Sequence, residues 1–168
     1  GTAPLSGNRV APGVVPDDLA KSPSPASEIR LVDESDNDVP DGAVGELAMR
    51  GPTLFSGYWR DDAATREDFR GGWFHLGDLF RRRADGRYDY VDRRKYLIKS
   101  GGENIYPAEI ERVLLSDPRV VDAVVVRRKD PRWGEVPVAL VVTRDADLDP
   151  GDLARRCRAA LAGFKQPK

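Results

Sequence analysis

The hydrophobic pattern of the chain changes after residue 92, and this change limits the folds that the chain can adopt. Before it, short stretches of alternating polar and apolar residues are separated by turn formers, a pattern typical of strands and turns. After it, apolar residues at helical spacing lie on both sides of two β-branched stretches, which predicts the order helix–strand–strand–helix. We therefore predict an α+β chain in two parts, residues 1–92 and 93–168.

The first part is predicted to consist of strands, turns and one short helix. The segment 1–27 is rich in Pro, Gly, Ser and Ala and reads as loop with a short strand at 10–15. Alternation predicts further strands at 28–32, 45–50, 73–80 and 88–92. Asp85 and Gly86 lie between the last two, where an Asp-Gly pair is typical of a hairpin turn. Acidic residues open a predicted helix at 61–69.

The second part is predicted to contain two helices and three strands. A short strand at 96–99 precedes a helix that starts at Pro107, a position that the first helical turn tolerates, and ends before Pro118. Strands are predicted at 120–126 and 136–143, with residues 127–135 as their connection. Asp149 or Asp152 can cap a final helix whose apolar face includes Cys157.

Composition excludes several classes of protein. The single cysteine excludes an internal disulfide framework and, with a single histidine, a Cys/His zinc site, so no metal site is predicted. No apolar run approaches the roughly 18–20 residues of a membrane span, and the segment that opens with residues 1–4 has neither the basic start nor the apolar stretch of a signal peptide, so we expect a cytoplasmic protein. The 27 basic and 28 acidic side chains give a formal charge of −1 and argue against a nucleic-acid partner. Basic triplets at 81–83, 93–95 and 127–129 keep nucleic-acid binding open as an alternative.

Few side chains suggest chemistry by themselves. His75 lies in a predicted strand and is interpreted as a partly buried side chain with a local hydrogen bond, and Cys157 as core packing. Ser100, Gly101 and Gly102 follow a short strand beside the basic Lys99. This loop suits either a tight strand-to-helix turn or the close approach of a phosphate or a thin chain.

Five ordered segments resemble the C-terminal portion of the adenylate-forming enzyme superfamily, which includes acyl-CoA ligases, luciferase and adenylation domains of peptide synthetases. The resemblance covers about residues 28–168. The segments are GEL…RGP…GYW at 45–59, GWFHLGD at 72–78, DRRKYLIKSGGENIYPAEIE at 92–111, DPRWGE at 130–135 and FKQPK at 164–168.

The resemblance implies a role for each matching residue. Asp78 would accept hydrogen bonds from the ribose hydroxyls of ATP or of an acyl-adenylate, and Arg93 would contact the ribose or phosphate side. Lys95 would be the hinge about which a small C-terminal domain turns. Lys99 and the loop at 100–102 (Ser100, Gly101, Gly102) would face the active site where the CoA arm enters. Residues 1–92 would be the strand-rich end of the large domain, and residues 93–168 an incomplete mobile lid.

The chain also departs from the family pattern. Leu76 stands where Thr is common, and Tyr96 where an acidic residue follows the hinge. The phosphate-binding loop, the Mg²⁺-linked glutamate and most of the acyl pocket precede this region in the family. Lys168 matches the PK landmark and not the catalytic lysine, which lies beyond it. The 168 residues are therefore expected to be a fragment that catalyses neither half-reaction alone.

The activity implied for the parent protein is an ATP-dependent acid–thiol ligation. A carboxylic acid would react with ATP to give an acyl-adenylate, and the acyl group would pass to CoA, with Mg²⁺ ligands outside this chain. A carrier-protein thiol in place of CoA, or a non-catalytic binding module, are the alternatives. The acyl substrate is not indicated, because the family's pocket residues lie upstream.

Overall fold

The chain has an α+β fold made of two compact units. The computed structural model describes residues 5–6 and 17–168, so the predicted strand at 10–15 lies outside the described residues. The first unit ends at Arg94 and the second spans Lys95–Lys168. The described residues contain two four-stranded antiparallel sheets, a two-stranded pair and three α-helices. The predicted α+β class is confirmed.

The first unit is built on the sheet β3-β4-β5-β6. Its elements are β1 Leu5–Ser6, β2 Ser22–Pro23, β3 Glu28–Val32, β4 Val44–Arg50, α1 Asp62–Asp68, β5 Phe74–Arg82 and β6 Tyr88–Arg93. Leu47 and Met49 of β4 are fully buried and pack with Phe80 and Tyr88. The predicted strands and helix are present, and Gly86 has the positive φ of +82° that its hairpin turn requires.

A bulge in β5 interrupts this sheet beside Asp78. Glu46 of β4 pairs with Leu79, but Ala48 pairs with His75, so three residues of β5 pass a single residue of β4. Gly77 lies in the bulge with φ +71°, a conformation that favours glycine. The bulge changes the course of the strand where Asp78 is placed.

The second unit consists of the sheet β8-β7-β10-β9 covered by two helices. Its elements are β7 Ile98–Ser100, β8 Glu103–Ile105, α2 Pro107–Leu115, β9 Val120–Asp130, β10 Gly134–Thr143 and α3 Pro150–Ala160. The core contains Ile98, Ile105 and Ile110, and Cys157 is buried in it as predicted. No helix among residues 17–168 combines the length and the apolar character needed to cross a bilayer.

Two details of this unit differ from the prediction. Gly101 and Gly102 form the two-residue turn of the β7–β8 hairpin, with φ of +59° and +86°, and not a strand-to-helix turn. Strand β8 has no alternating pattern, so the sequence did not indicate it. Residues 127–130 and 134–135, predicted as a connection, continue β9 and β10, because Lys129 lies opposite Glu135 in the sheet.

Replacing Asp149 by Ala should lower the free energy of unfolding by about 1 kcal/mol. The Asp149 carboxylate accepts a hydrogen bond from the Gly151 N–H at 2.8 Å and caps α3. The measurement is urea denaturation, with Asp147→Ala, an exposed aspartate in the preceding loop, as the control. Equal losses for the two variants would contradict a capping role.

Candidate functional site

Asp78 and Arg93 form an ion pair across two neighbouring strands. They are opposite each other in β5 and β6, and Arg93 Nε lies 2.8 Å from Asp78 Oδ1. Asp78 is mostly buried, whereas about half of the Arg93 side chain is exposed. Oδ1 is buried, and among the described residues it accepts no well-aligned hydrogen bond. About 20% of the Asp78 side chain is exposed, so the carboxylate can still accept hydrogen bonds from the hydroxyls of a ligand.

A buried carboxylate lies beside this pair. Glu46 is only 5% exposed, and its Oε1 accepts a hydrogen bond from the Gly77 N–H at 3.2 Å. Its Oε2 accepts from Arg70 Nη2 at 3.0 Å and from Arg94 Nη1 at 2.8 Å. Two guanidinium groups thus compensate a carboxylate that has lost most of its water.

His75 lies against the same carboxylate. Its Nδ1 is 3.6 Å from Glu46 Oε2, and its Nε2 is 3.8 Å from Asp36 Oδ1. Burial, and next the positive charge of Arg70, lower the pKa of His75, so the ring is neutral at pH 7. The sequence predicted a partly buried histidine, but His75 is only 4% exposed and belongs to this charged cluster.

Lys95 is the first residue of the second unit. It lies in a single helical turn, Arg94–Tyr96, that follows β6. Its Nζ lies 4.8 Å from the centre of the Tyr96 ring, and its carbonyl accepts a hydrogen bond from Arg127 Nη2 at 3.0 Å. The expected hinge residue is therefore exposed and held by its own unit through its backbone.

The remaining expected site residues lie together in the β7–β8 hairpin. Lys99 is exposed, and its N–H donates to the Glu135 carboxylate at 3.1 Å, whereas Ser100 is buried. The Gly101 N–H donates to the Trp133 carbonyl at 2.8 Å. A Cβ on Gly101 would lie 2.7 Å from Trp133 Cε3, but a Cβ on Gly102 would meet nothing within 4 Å. Of the two glycines, Gly102 therefore borders open space.

A pocket of about 280 Å³ adjoins this hairpin. Its walls include Gly101, the aromatic rings of Trp133 and Phe164, and the cationic Lys168. Glu103 also lines the pocket, so its walls carry one anion as well as one cation, and the two aromatic rings suit a slender ligand. Trp133 was not assigned a role from the sequence, although its DPRWGE segment was among those noted.

Members of the basic segments form salt bridges within their own unit. Arg83 lies 2.7 Å from Asp89, and Arg127 lies 3.9 Å from Glu135, so these basic segments contribute to local salt bridges. In the described part of the chain, no cluster of three or more His, Cys, Asp or Glu side chains is suited to a metal ion. The carboxylates beside the candidate site are paired with arginines and do not fit a Mg²⁺ ligand set.

Comparison with known proteins gives consistent matches along the chain. The family model "AMP-binding enzyme" matches residues 11–59, and "AMP-binding enzyme C-terminal domain" matches residues 109–168. A feruloyl-CoA synthase of Amycolatopsis sp is 46% identical over 147 residues, which are 87% of this chain and 30% of the relative. A 2-succinylbenzoate–CoA ligase of Bacillus mycoides is 48% identical over 130 residues, 77% of this chain and 27% of the relative.

Solved structures show the same fold. The o-succinylbenzoate CoA synthetase of Bacillus subtilis, in complex with its acyl-adenylate intermediate, has a TM-score of 0.80 at 37% identity, covering 86% of this chain and 30% of that one. The amide bond synthetase McbA of Marinactinospora thermotolerans has a TM-score of 0.80 at 38% identity, covering 88% and 30%. The chain thus spans about 30% of the length of these proteins.

Proposed function

The chain belongs to the adenylate-forming enzyme superfamily, and from this we propose that the protein is an ATP-dependent acyl-CoA ligase. It would convert a carboxylic acid and ATP into an acyl-adenylate and pyrophosphate, and then transfer the acyl group to the CoA thiol with release of AMP. The observation that carries this proposal is the Asp78–Arg93 pair, in which a partly exposed carboxylate lies beside a half-exposed guanidinium group.

In this proposal Asp78 binds the ribose of the nucleotide. Its two oxygens accept hydrogen bonds from the two neighbouring ribose hydroxyls, which is a recognition that a neutral side chain performs less well. Arg93, with its Nε 2.8 Å from the carboxylate, balances the charge of Asp78 and, being half exposed, can also reach the phosphate side. Catalysis would then depend mainly on positioning the adenylate.

We further propose that the two units correspond to the end of the large domain and to the mobile lid, with Lys95 as the hinge. The proposal is supported by the division of the chain between Arg94 and Lys95, directly before the expected hinge. Lys99, Ser100 and the two glycines would meet the CoA arm. The open side of Gly102 and the neighbouring pocket support this assignment.

CoA is the proposed acceptor because the two curated relatives named above, at 46% and 48% identity, are a CoA synthase and a CoA ligase. The chain is also similar to an amide bond synthetase, so the identity of the acceptor needs a direct test.

The Mg²⁺ ligands would lie outside these residues. The proposed location is the cytoplasm, which agrees with the single cysteine.

The test is a chimera in which this chain replaces the matching segment of the Amycolatopsis feruloyl-CoA synthase. We expect the chimera to form feruloyl-CoA from ferulate, ATP and CoA, because the relative supplies the residues that precede the match. The relative without its segment is the control and should form no product. A folded chimera that forms neither adenylate nor thioester would contradict the proposal, and one that forms only the adenylate would contradict CoA as the acceptor.

A further inference from the structure

One side chain contacts the neighbours of both members of the Asp78–Arg93 pair. Glu46 Oε1 accepts from the N–H of Gly77, directly before Asp78, and Glu46 Oε2 accepts from the guanidinium of Arg94, directly after Arg93. One residue of β4, Glu46, therefore binds both the segment of β5 that contains Asp78 and the end of β6 that contains Arg93.

Because of the bulge in β5, the hydrogen bond from the Gly77 N–H to Glu46 restrains the backbone before Asp78. It takes Gly77 out of the regular pairing with β4, and the Glu46 side chain accepts the Gly77 N–H in place of a strand carbonyl. Gly77 has a positive φ that glycine adopts readily, so the backbone before Asp78 has little conformational restraint of its own. The hydrogen bond to a charged acceptor supplies that restraint.

The second contact fixes the end of β6. Arg94 is about half exposed, and without Glu46 its side chain could adopt other rotamers in the solvent. Arg70 binds the same Glu46 oxygen and also Asp36, so the carboxylate is held in one orientation. The side chain that fixes the Gly77 amide therefore also fixes the residue after Arg93.

We propose that Glu46 is a positioning residue that sets the distance and orientation of the Asp78–Arg93 pair. The inference rests on the proposed nucleotide-binding role of that pair. Glu46 does not touch the nucleotide and acts through Gly77 and Arg94.

The first test measures the Gly77 N–H itself, by NMR-detected hydrogen exchange in the 168-residue chain. In Glu46→Gln, an amide NH₂ must face either the Gly77 N–H or the two guanidinium groups, so one set of hydrogen bonds is lost. We expect Gly77 exchange to accelerate about tenfold. The matched control is Glu28→Gln, which removes a glutamate–arginine pair from β3 in the same sheet. Equal Gly77 exchange in the two variants would overturn the proposal.

The second test separates positioning from stability. In the chimera, Glu46→Gln should raise the KM for ATP about tenfold and leave the KM for CoA unchanged, and Glu28→Gln should change neither. Arg94→Gln should also raise the KM for ATP. Because the Arg94 side chain is half exposed, this variant tests the proposal even if Glu46→Gln does not fold. An unchanged KM for ATP in Arg94→Gln would overturn the proposal. If Asp78→Ala leaves the KM for ATP unchanged, the proposed role of Asp78 in nucleotide binding is wrong. The hydrogen exchange of Gly77 still tests independently whether Glu46 holds the backbone before Asp78.

Discussion

Asp78→Ala in the chimera is expected to lower kcat/KM for ATP about 100-fold. The substitution removes both carboxylate oxygens that would accept the ribose hydroxyls, and two hydrogen bonds to a charged group account for a loss of this size. It also leaves Arg93 without the carboxylate that lies 2.8 Å from its Nε. The measurement is the initial rate of feruloyl-CoA formation as a function of ATP concentration.

Asp89→Ala provides the matched control for this experiment. Asp89 lies on β6 of the same sheet, and its carboxylate is paired with Arg83 at 2.7 Å. The control therefore removes an ion-paired aspartate outside the candidate site and should leave kcat/KM for ATP unchanged. A similar loss in both variants would show that the Asp78 effect arises from the sheet and not from nucleotide recognition.

Gly101→Ala is expected to lower the free energy of unfolding by about 3 kcal/mol. The residue has φ +59°, which a side chain disfavours, and the added Cβ would lie 2.7 Å from Trp133 Cε3. The backbone conformation and the overlap with the indole contribute separately. Urea denaturation of the chain, monitored by tryptophan fluorescence, measures the total change in the free energy of unfolding.

Gly102→Ala isolates the backbone contribution. Gly102 occupies the next position of the same turn with φ +86°, but its Cβ would meet no atom within 4 Å. We expect a loss of about 1 kcal/mol. In a Trp133→Ala background, the loss of unfolding free energy caused by Gly101→Ala should fall to the same value, because the overlap with the indole is absent. If Gly101→Ala remained as costly in that background, the indole contact could not be its cause.

The sequence predicted a strand at Asp78 but ended the next strand at Asp92, one residue before Arg93, and it predicted the role of both residues by resemblance. It did not predict the cluster behind them. Glu46 was noted only as part of a GEL segment, and Arg70 lay in no assigned motif. These two residues are 24 positions apart, and the 3.0 Å contact between them depends on how the strands fold together.

The hairpin at 100–102 shows a similar division. Two adjacent glycines indicated a tight turn, because a positive φ is a conformation that glycine adopts readily, but the turn joins two strands and not a strand and a helix. The partner of Gly101 was not predictable, since Trp133 reaches it only through the pairing of β7 with β10. A Cβ at position 101 would overlap the indole beside it, and of the two glycines only Gly102 borders open space.

The sequence by itself determined the α+β class, most helix and strand positions, and the superfamily. The fold class and the element positions depend on local periodicity, caps and turn residues, which act over a few positions of the chain, and the superfamily was identified by the resemblance of its ordered segments. The tertiary structure alone decided which polar and charged groups come into contact: Glu46 with the Gly77 N–H and with Arg94, and Asp78 with Arg93. The physical reason is that a strand register and a bulge bring distant residues within hydrogen-bond distance, and neither leaves a periodic signal in the sequence.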